Sequence, residues 1–209
     1  MLLISDAQLV GRPREDRASV LVAEGIVSAV GVIDAEALRA AGVDVEIVDA
    51  AGSLLAPGIV LPRTSLTEEI PPEVTTWVGV ASSSFESVPH AVLARVRQAR
   101  QGGASAWMWS GGNGSFLTRS AGEDIALIAE VIGIGELFFS DLRSSEPSAL
   151  ELARIASEGH LASLETGKAG LLHLSVGNGK RRMARLFEAI RSFDVEPSWF
   201  YATLSNPAA

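Results

Sequence analysis

The chain has 209 residues, a formal net charge of −8, 47% apolar residues and no cysteine. Disulfides, thiolate metal sites and cysteine nucleophiles are excluded, and the acidic balance opposes nucleic acid, whose partners gain most of their affinity by neutralising phosphates. Met1-Leu2-Leu3-Ile4 lacks a basic flank and soon meets Asp6, and no apolar run approaches the ~20 residues of a membrane span, so the expectation is a cytoplasmic protein without membrane contact. A mean hydropathy of +0.27 leans toward subunit contacts.

In chain order, residues 1–57 read as short strands and turns: Ser19 to Val22, Ile26 to Val32, Glu46 to Val48 and Ser53 to Leu55, broken by Glu24-Gly25 and Ala51-Gly52. Asp34 to Ala41 reads as one short helix. From Pro57 the rhythm becomes strand then helix, which favours parallel strands and part of a (β/α) barrel over residues 58–209. The expected strands are Trp77 to Val80, Ala104 to Trp109, Glu136 to Ser140, Leu171 to Ser175 and Trp199 to Thr203. Ser120 and Glu123 have capping-box spacing for a helix that Gly133 would end. Pro147 opens a second helix, whose Leu150, Ala153 and Ala156 recur until Gly159. Met183, Leu186, Phe187 and Ile190 form the stripe of a third.

Particular segments carry a family resemblance. Leu54-Leu55-Ala56-Pro57-Gly58-Ile59-Val60 resembles the passage from the β-sandwich into the first barrel strand of metal-dependent amidohydrolases. Gly103 to Met108, Asp124 to Ile128, Val131-Ile132-Gly133-Ile134 and Ser140-Asp141-Leu142-Arg143-Ser144 resemble, in order and spacing, isoaspartyl dipeptidases, as do Gly167-Lys168-Ala169-Gly170 and Gly177-Asn178-Gly179-Lys180. The resemblance covers nearly the whole chain and about half the family's length. It implies an α/β fold, an incomplete TIM-like barrel preceded by a small β-sandwich at residues 1–57.

It also implies two divalent metals, held by imidazoles and a carbamylated lysine, that make hydroxide from water near neutral pH. The ligand positions of this chain hold other residues. The His-x-His pair falls on Arg63-Thr64-Ser65, and the next two histidines fall on Ser175 and Leu204. The bridging lysine falls on Gly135 counted forward from Val131-Ile132-Gly133-Ile134, or on Glu136 counted back from Ser140-Asp141, because the chain carries one extra residue between them. A cation at Arg63 would repel a metal. Of the family's substrate contacts, Arg143 matches the arginine that holds the substrate carboxylate, although an ion pair with Asp141 is its ordinary alternative. The catalytic-loop tyrosine becomes Asn113. Leu66 to Pro72 is short and omits the first barrel helix.

No other catalytic set emerges. His90 and His160 read as solvated surface residues, whereas His173 shares strand parity with Ser175 and reads as a hydrogen-bonded core histidine or a proton-transfer group. Lys168 precedes its strand, at the end of the barrel opposite active sites, and Lys180 lies in a helix start. Gly177 to Arg182 lacks P-loop spacing and reads as a solvated basic turn. Ala81-Ser82-Ser83-Ser84-Phe85 reads as a loop, and Trp107 and Trp109 as core.

The sequence thus leads to an expectation of a degenerate amidohydrolase with no cofactor and no catalytic residue, a non-catalytic subunit or scaffold. Two alternatives are a β-aspartyl dipeptidase half completed by another chain and a module that binds a small carboxylate through Arg143 and Asn113. Strands near Gly58 to Leu61 and Trp199 to Thr203 would offer uncharged open edges, so the expected partner is a second copy or a larger amidohydrolase-like chain.

Overall fold

The computed structural model describes residues 1–65, 68–81, 89–111, 116–140 and 147–204, so Asn113, Asp141, Arg143 and Ser82 to Phe85 lie outside the described residues. The chain divides into two units, Met1–Gly58 and Ile59–Ala209.

The first unit contains β1 (Leu2–Leu9), β2 (Arg17–Ala23), β3 (Ile26–Gly31), α1 (Ala35–Ala40), β4 (Glu46–Asp49) and β5 (Leu54–Leu55). Its sheet has the order β3-β2-β1-β4, with β5 also on β1. The central strand, β1, is one that periodicity does not predict. Asp6 interrupts its apolar run at a register shift between Ile4 and Ala7, while Leu3 and Ala7 are fully buried. Asp34 caps α1 by accepting from the amides of Glu36 and Ala37, which satisfies two donors a helix start leaves free.

The second unit contains β6 (Ile59–Thr64), β7 (Val74–Gly79), α2 (Pro89–Gln101), β8 (Ser105–Ser110), α3 (Ala121–Leu127), β9 (Val131–Phe139), α4 (Ala149–Thr166), β10 (Leu172–Val176), α5 (Ala184–Ser192) and β11 (Phe200–Leu204). The strands form one parallel sheet in sequence order, β6 to β11. It is a curled, partial barrel, and the expected α/β class with a small sheet unit ahead of an incomplete barrel holds. Between β6 and β7 the described residues contain no helix. No helix among the described residues is long and apolar enough to cross a membrane.

Strand alternation sorts the apolar residues into two clusters. Leu172, Leu174 and Val176 pack with Leu152, Ala156, Leu186 and Ala189 of the helices. Val78, Val80 and Trp109 form a second cluster with Trp107, Ile132, Leu171 and Tyr201, to which no helix contributes. This second cluster lines the inside of the curl.

The helix ends differ from expectation in several places. Gly133 does not end α3: the helix stops at Leu127, and Val131 to Ile134 enters β9, because a β-branched run suits a buried strand. Ser120 caps α3 by accepting from the Glu123 amide, but the Glu123 carboxylate pairs with Arg119, at 2.6 Å, and does not return to Ser120. The reciprocal capping box belongs to Ser148 and Glu151 at the start of α4, so Pro147 precedes the cap. Gly159 lies inside α4, which ends at Gly167 in a left-handed cap with φ 71°. Lys180, finally, is exposed in a turn before α5, whose first residue is Ala184.

Two buried features hold the helix layer in place. Asp124, fully buried, accepts from the Ser110 hydroxyl, the Leu117 amide at 2.9 Å, and the Thr118 amide and hydroxyl, both at 2.7 Å. It thereby ties the end of β8 to the approach into α3. Asp124→Asn, which turns a donor toward donors, is expected to cost about 2–3 kcal/mol in urea unfolding. At Gly159 an added Cβ would lie 2.3 Å from the Gly170 carbonyl oxygen, a main-chain atom with little freedom to move. Gly159→Ala would gain about 1 kcal/mol of helix propensity, yet overpacking typically costs ~1–3 kcal/mol. The prediction is a net lowering of the urea midpoint, and a midpoint at or above wild type would refute the close approach.

Candidate functional site

The inner wall of the curl carries the polar residues that the sequence singles out. Register shifts in β6 and β9 decide which of them face inward. On β9, Ile134 pairs with Leu172 and Leu137 with Leu174, so three steps on one strand match two on its neighbour. The extra residue forms a bulge. Ile134 and Leu137 both join the helix-facing cluster, and the Glu136 side chain turns to the inside. Gly135 sits in the bulge with φ 134°, where a Cβ would come within 2.7 Å of the His173 carbonyl oxygen, so a side chain there would collide with β10.

Glu136 is 1% exposed and meets Arg63 fork to fork: Nε donates to Oε1 at 2.9 Å and Nη2 to Oε2 at 3.0 Å. In a flat sheet β6 and β9 would lie about 14 Å apart, three strand spacings. The pair therefore spans the concave side of the curl. Arg63 also approaches Glu68 at 4.0 Å, and Glu68 accepts from the Ser65 amide at 2.7 Å. A bidentate guanidinium–carboxylate contact is among the strongest hydrogen-bonded ion pairs.

His173 is fully buried on β10. Its Nε2 lies 3.0 Å from the Thr203 hydroxyl, and its Nδ1 has no hydrogen-bond partner among the described residues. Its ring lies 5.1 Å from Trp109 and 5.0 Å from Tyr201, between centroids. Trp109 in turn donates to the Pro62 carbonyl at 2.9 Å. Burial pushes the His173 pKa down to about 4; Glu136 opposes the shift and Arg63 adds to it. The imidazole is neutral near pH 7.

The arrangement brings together Arg63, Glu136 and His173, with Thr203 as a participant that the sequence did not flag. Its signal was strand parity: Thr203 lies directly beside Ser175 on the paired strand. Ser175 is buried, as are His173 and Glu136, whereas Leu204 is 87% exposed and stands outside the group. His160, partly exposed within α4, stacks on Trp199 with centroids 4.1 Å apart. His90 is exposed near the start of α2. Lys168 donates to the carbonyls of Ile125 and Ile128 at the end of α3, where a cation complements the helix dipole.

These residues do not fit the metal centre that the resemblance implies. Both Glu136 oxygens are taken by Arg63 and His173 Nε2 is engaged with Thr203. Among the described residues no group of three His, Cys, Asp or Glu could hold a metal ion. A zinc site needs three or four such donors.

The neutral histidine has a pH signature. With a folded pKa of about 4 against 6.5 for the ordinary group, the unfolded chain takes up the proton first as pH falls. The stabilisation is complete above about pH 6.5 and is lost as pH drops toward 4, on the order of 3 kcal/mol in all. His173→Gln keeps a partner for Thr203 but cannot titrate. Urea titrations between pH 7 and 4 are expected to show a steeper loss in wild type than in this variant; parallel curves would contradict the assignment.

No family model matches the chain. Solved structures do. Two structures of the β-aspartyl dipeptidase of Fervidobacterium islandicum AW-1, one in complex with a β-Asp-Leu dipeptide, align at TM-score 0.82 with 27% and 26% identity. Each alignment covers 96% of this chain but only 57% and 60% of the dipeptidase. The L-hydantoinase of Arthrobacter aurescens shares the fold alone, at TM-score 0.51 and 17% identity over 91% of this chain and 44% of its own. The chain has an amidohydrolase-like fold, similar over nearly all its length to β-aspartyl dipeptidases and spanning about three fifths of theirs.

Proposed function

We propose that the chain is a non-hydrolytic, amidohydrolase-like subunit or scaffold. The observation that carries this reading is the Arg63–Glu136 pair: a guanidinium and its carboxylate hold positions at which the resemblance would place a metal ligand and, counted back from Ser140-Asp141, the bridging lysine. Metal-assisted hydrolysis requires a Lewis acid and a bound hydroxide. A carboxylate already neutralised by an internal cation is poorly suited to recruiting either.

A subunit role draws support from the first unit. β3 is an edge strand of its sheet, and its Ile26, Val27 and Val30 are 71%, 58% and 46% exposed. Apolar edge strands are normally covered or charged, so a second copy or a larger amidohydrolase-like chain is the partner this reading names. The lack of cysteine suits a reducing cytoplasm.

Elemental analysis of the purified protein, paired with a β-aspartyl dipeptide hydrolysis assay, tests the central claim. The expected result is no stoichiometric zinc and no hydrolysis above background; one or two zinc ions per chain with turnover would overturn it. For the subunit role, light scattering at low micromolar concentration is expected to report an assembly that Val27→Lys weakens. A stable monomer would count against it.

A further inference from the structure

Glu136 is the inward carboxylate of β9, 1% exposed, and the guanidinium of Arg63 contacts both of its oxygens. A buried carboxylate is costly unless paired and hydrogen-bonded. The neighbouring imidazole donates no hydrogen bond to that charge: His173 Nε2 lies against the Thr203 hydroxyl, and Nδ1 has no hydrogen-bond partner among the described residues. The charge is answered from β6, across the curl.

We propose that the Glu136 carboxylate is a buried cation site of the curled sheet, matched to a planar guanidinium group, and that Arg63 is its resident, tethered cation. Geometry selects the class of ion. Two parallel N–H donors meet two carboxylate oxygens at 2.9 and 3.0 Å, a match that a point charge such as an ammonium does not reproduce. A divalent metal at the same carboxylate would lack the further donors it needs, since no group of three candidate ligands exists among the described residues. The chain thus supplies from its own first barrel strand the positive charge that closes the centre of the sheet. This deepens the non-hydrolytic reading and rests on it in one respect, that no catalytic metal occupies the centre.

Chemical rescue tests the site. Arg63→Ala leaves the carboxylate buried and unpaired, and its melting midpoint is expected to fall by about 10 °C. Methylguanidinium at about 20 mM, binding the folded state alone, is expected to recover a large part of that loss. Sodium chloride at equal ionic strength and zinc chloride are expected not to. In Arg63→Ala with Glu136→Gln the methylguanidinium effect is expected to vanish. A variant that melts with wild type, an equal response in the double variant, or recovery by zinc greater than by methylguanidinium would each overturn the proposal. Should Arg63→Ala not fold, Arg63→Lys decides: a wild-type midpoint overturns guanidinium selectivity, and one lowered by several degrees and unmoved by zinc supports it. Dipeptide hydrolysis by wild type would sink the non-hydrolytic reading without altering these midpoints, so the two can fail separately.

Discussion

A guanidinium and a carboxylate, joined across the concave side of a parallel sheet, determine what else the interior of this chain can contain. Because Arg63 saturates Glu136, the nearby polar group with room to change state, His173, is left to burial and stays neutral. A neutral imidazole can then lie against the rings of Trp109 and Tyr201 without a desolvated charge. Trp109, stacked at 10° to Tyr201 and hydrogen-bonded to Pro62, carries that packing from β8 toward both β6 and β11. The inner wall is therefore a charge pair embedded in aromatic packing, with hydroxyls of Thr203 and Ser175 beside it.

The outer wall follows different rules. Helices α3, α4 and α5 cover it through aliphatic side chains, and the charged groups Asp124 and Lys168 there serve the backbone. Asp124 collects main-chain and hydroxyl donors ahead of α3. Lys168 satisfies carbonyls at the other end of the same helix. Neither group faces the concave side. The division explains why a carboxylate and a lysine, two residue types that catalysis often uses, serve as connectors here.

Much of this was legible in the residues themselves. The alternation of apolar strands with capped helices marked a βα unit, and the family resemblance drew attention to Arg63, Ser65, Gly135 or Glu136, Ser175 and Leu204. Three things were hidden. Strand β1 was obscured by Asp6, since a bulge lets one polar residue interrupt an apolar run without ending the strand. Gly133 and Gly159 looked like helix ends because glycine is the commonest terminator, yet here the residue answers to packing: Gly159 lets α4 approach the Gly170 carbonyl. Pairing Arg63 with Glu136 required the curl itself, because residues 73 positions apart in the chain become neighbours only once the sheet bends.

The bulge in β9 carries a consequence for how such a centre could arise. In a regular strand, one inserted residue reverses the facing of everything beyond it. Here Gly135 absorbs the insertion, so Leu137 and Phe139 keep their places under the helices while Glu136 is delivered to the opposite wall. Replacing a residue at this position and shifting the strand's phase are thus coupled events: a glutamate without the bulge would be pointed at aliphatic helices, and a bulge without an arginine on β6 would leave a naked carboxylate inside the sheet. The carboxylate, the bulge and the arginine are thus one arrangement, in which each part depends on the other two.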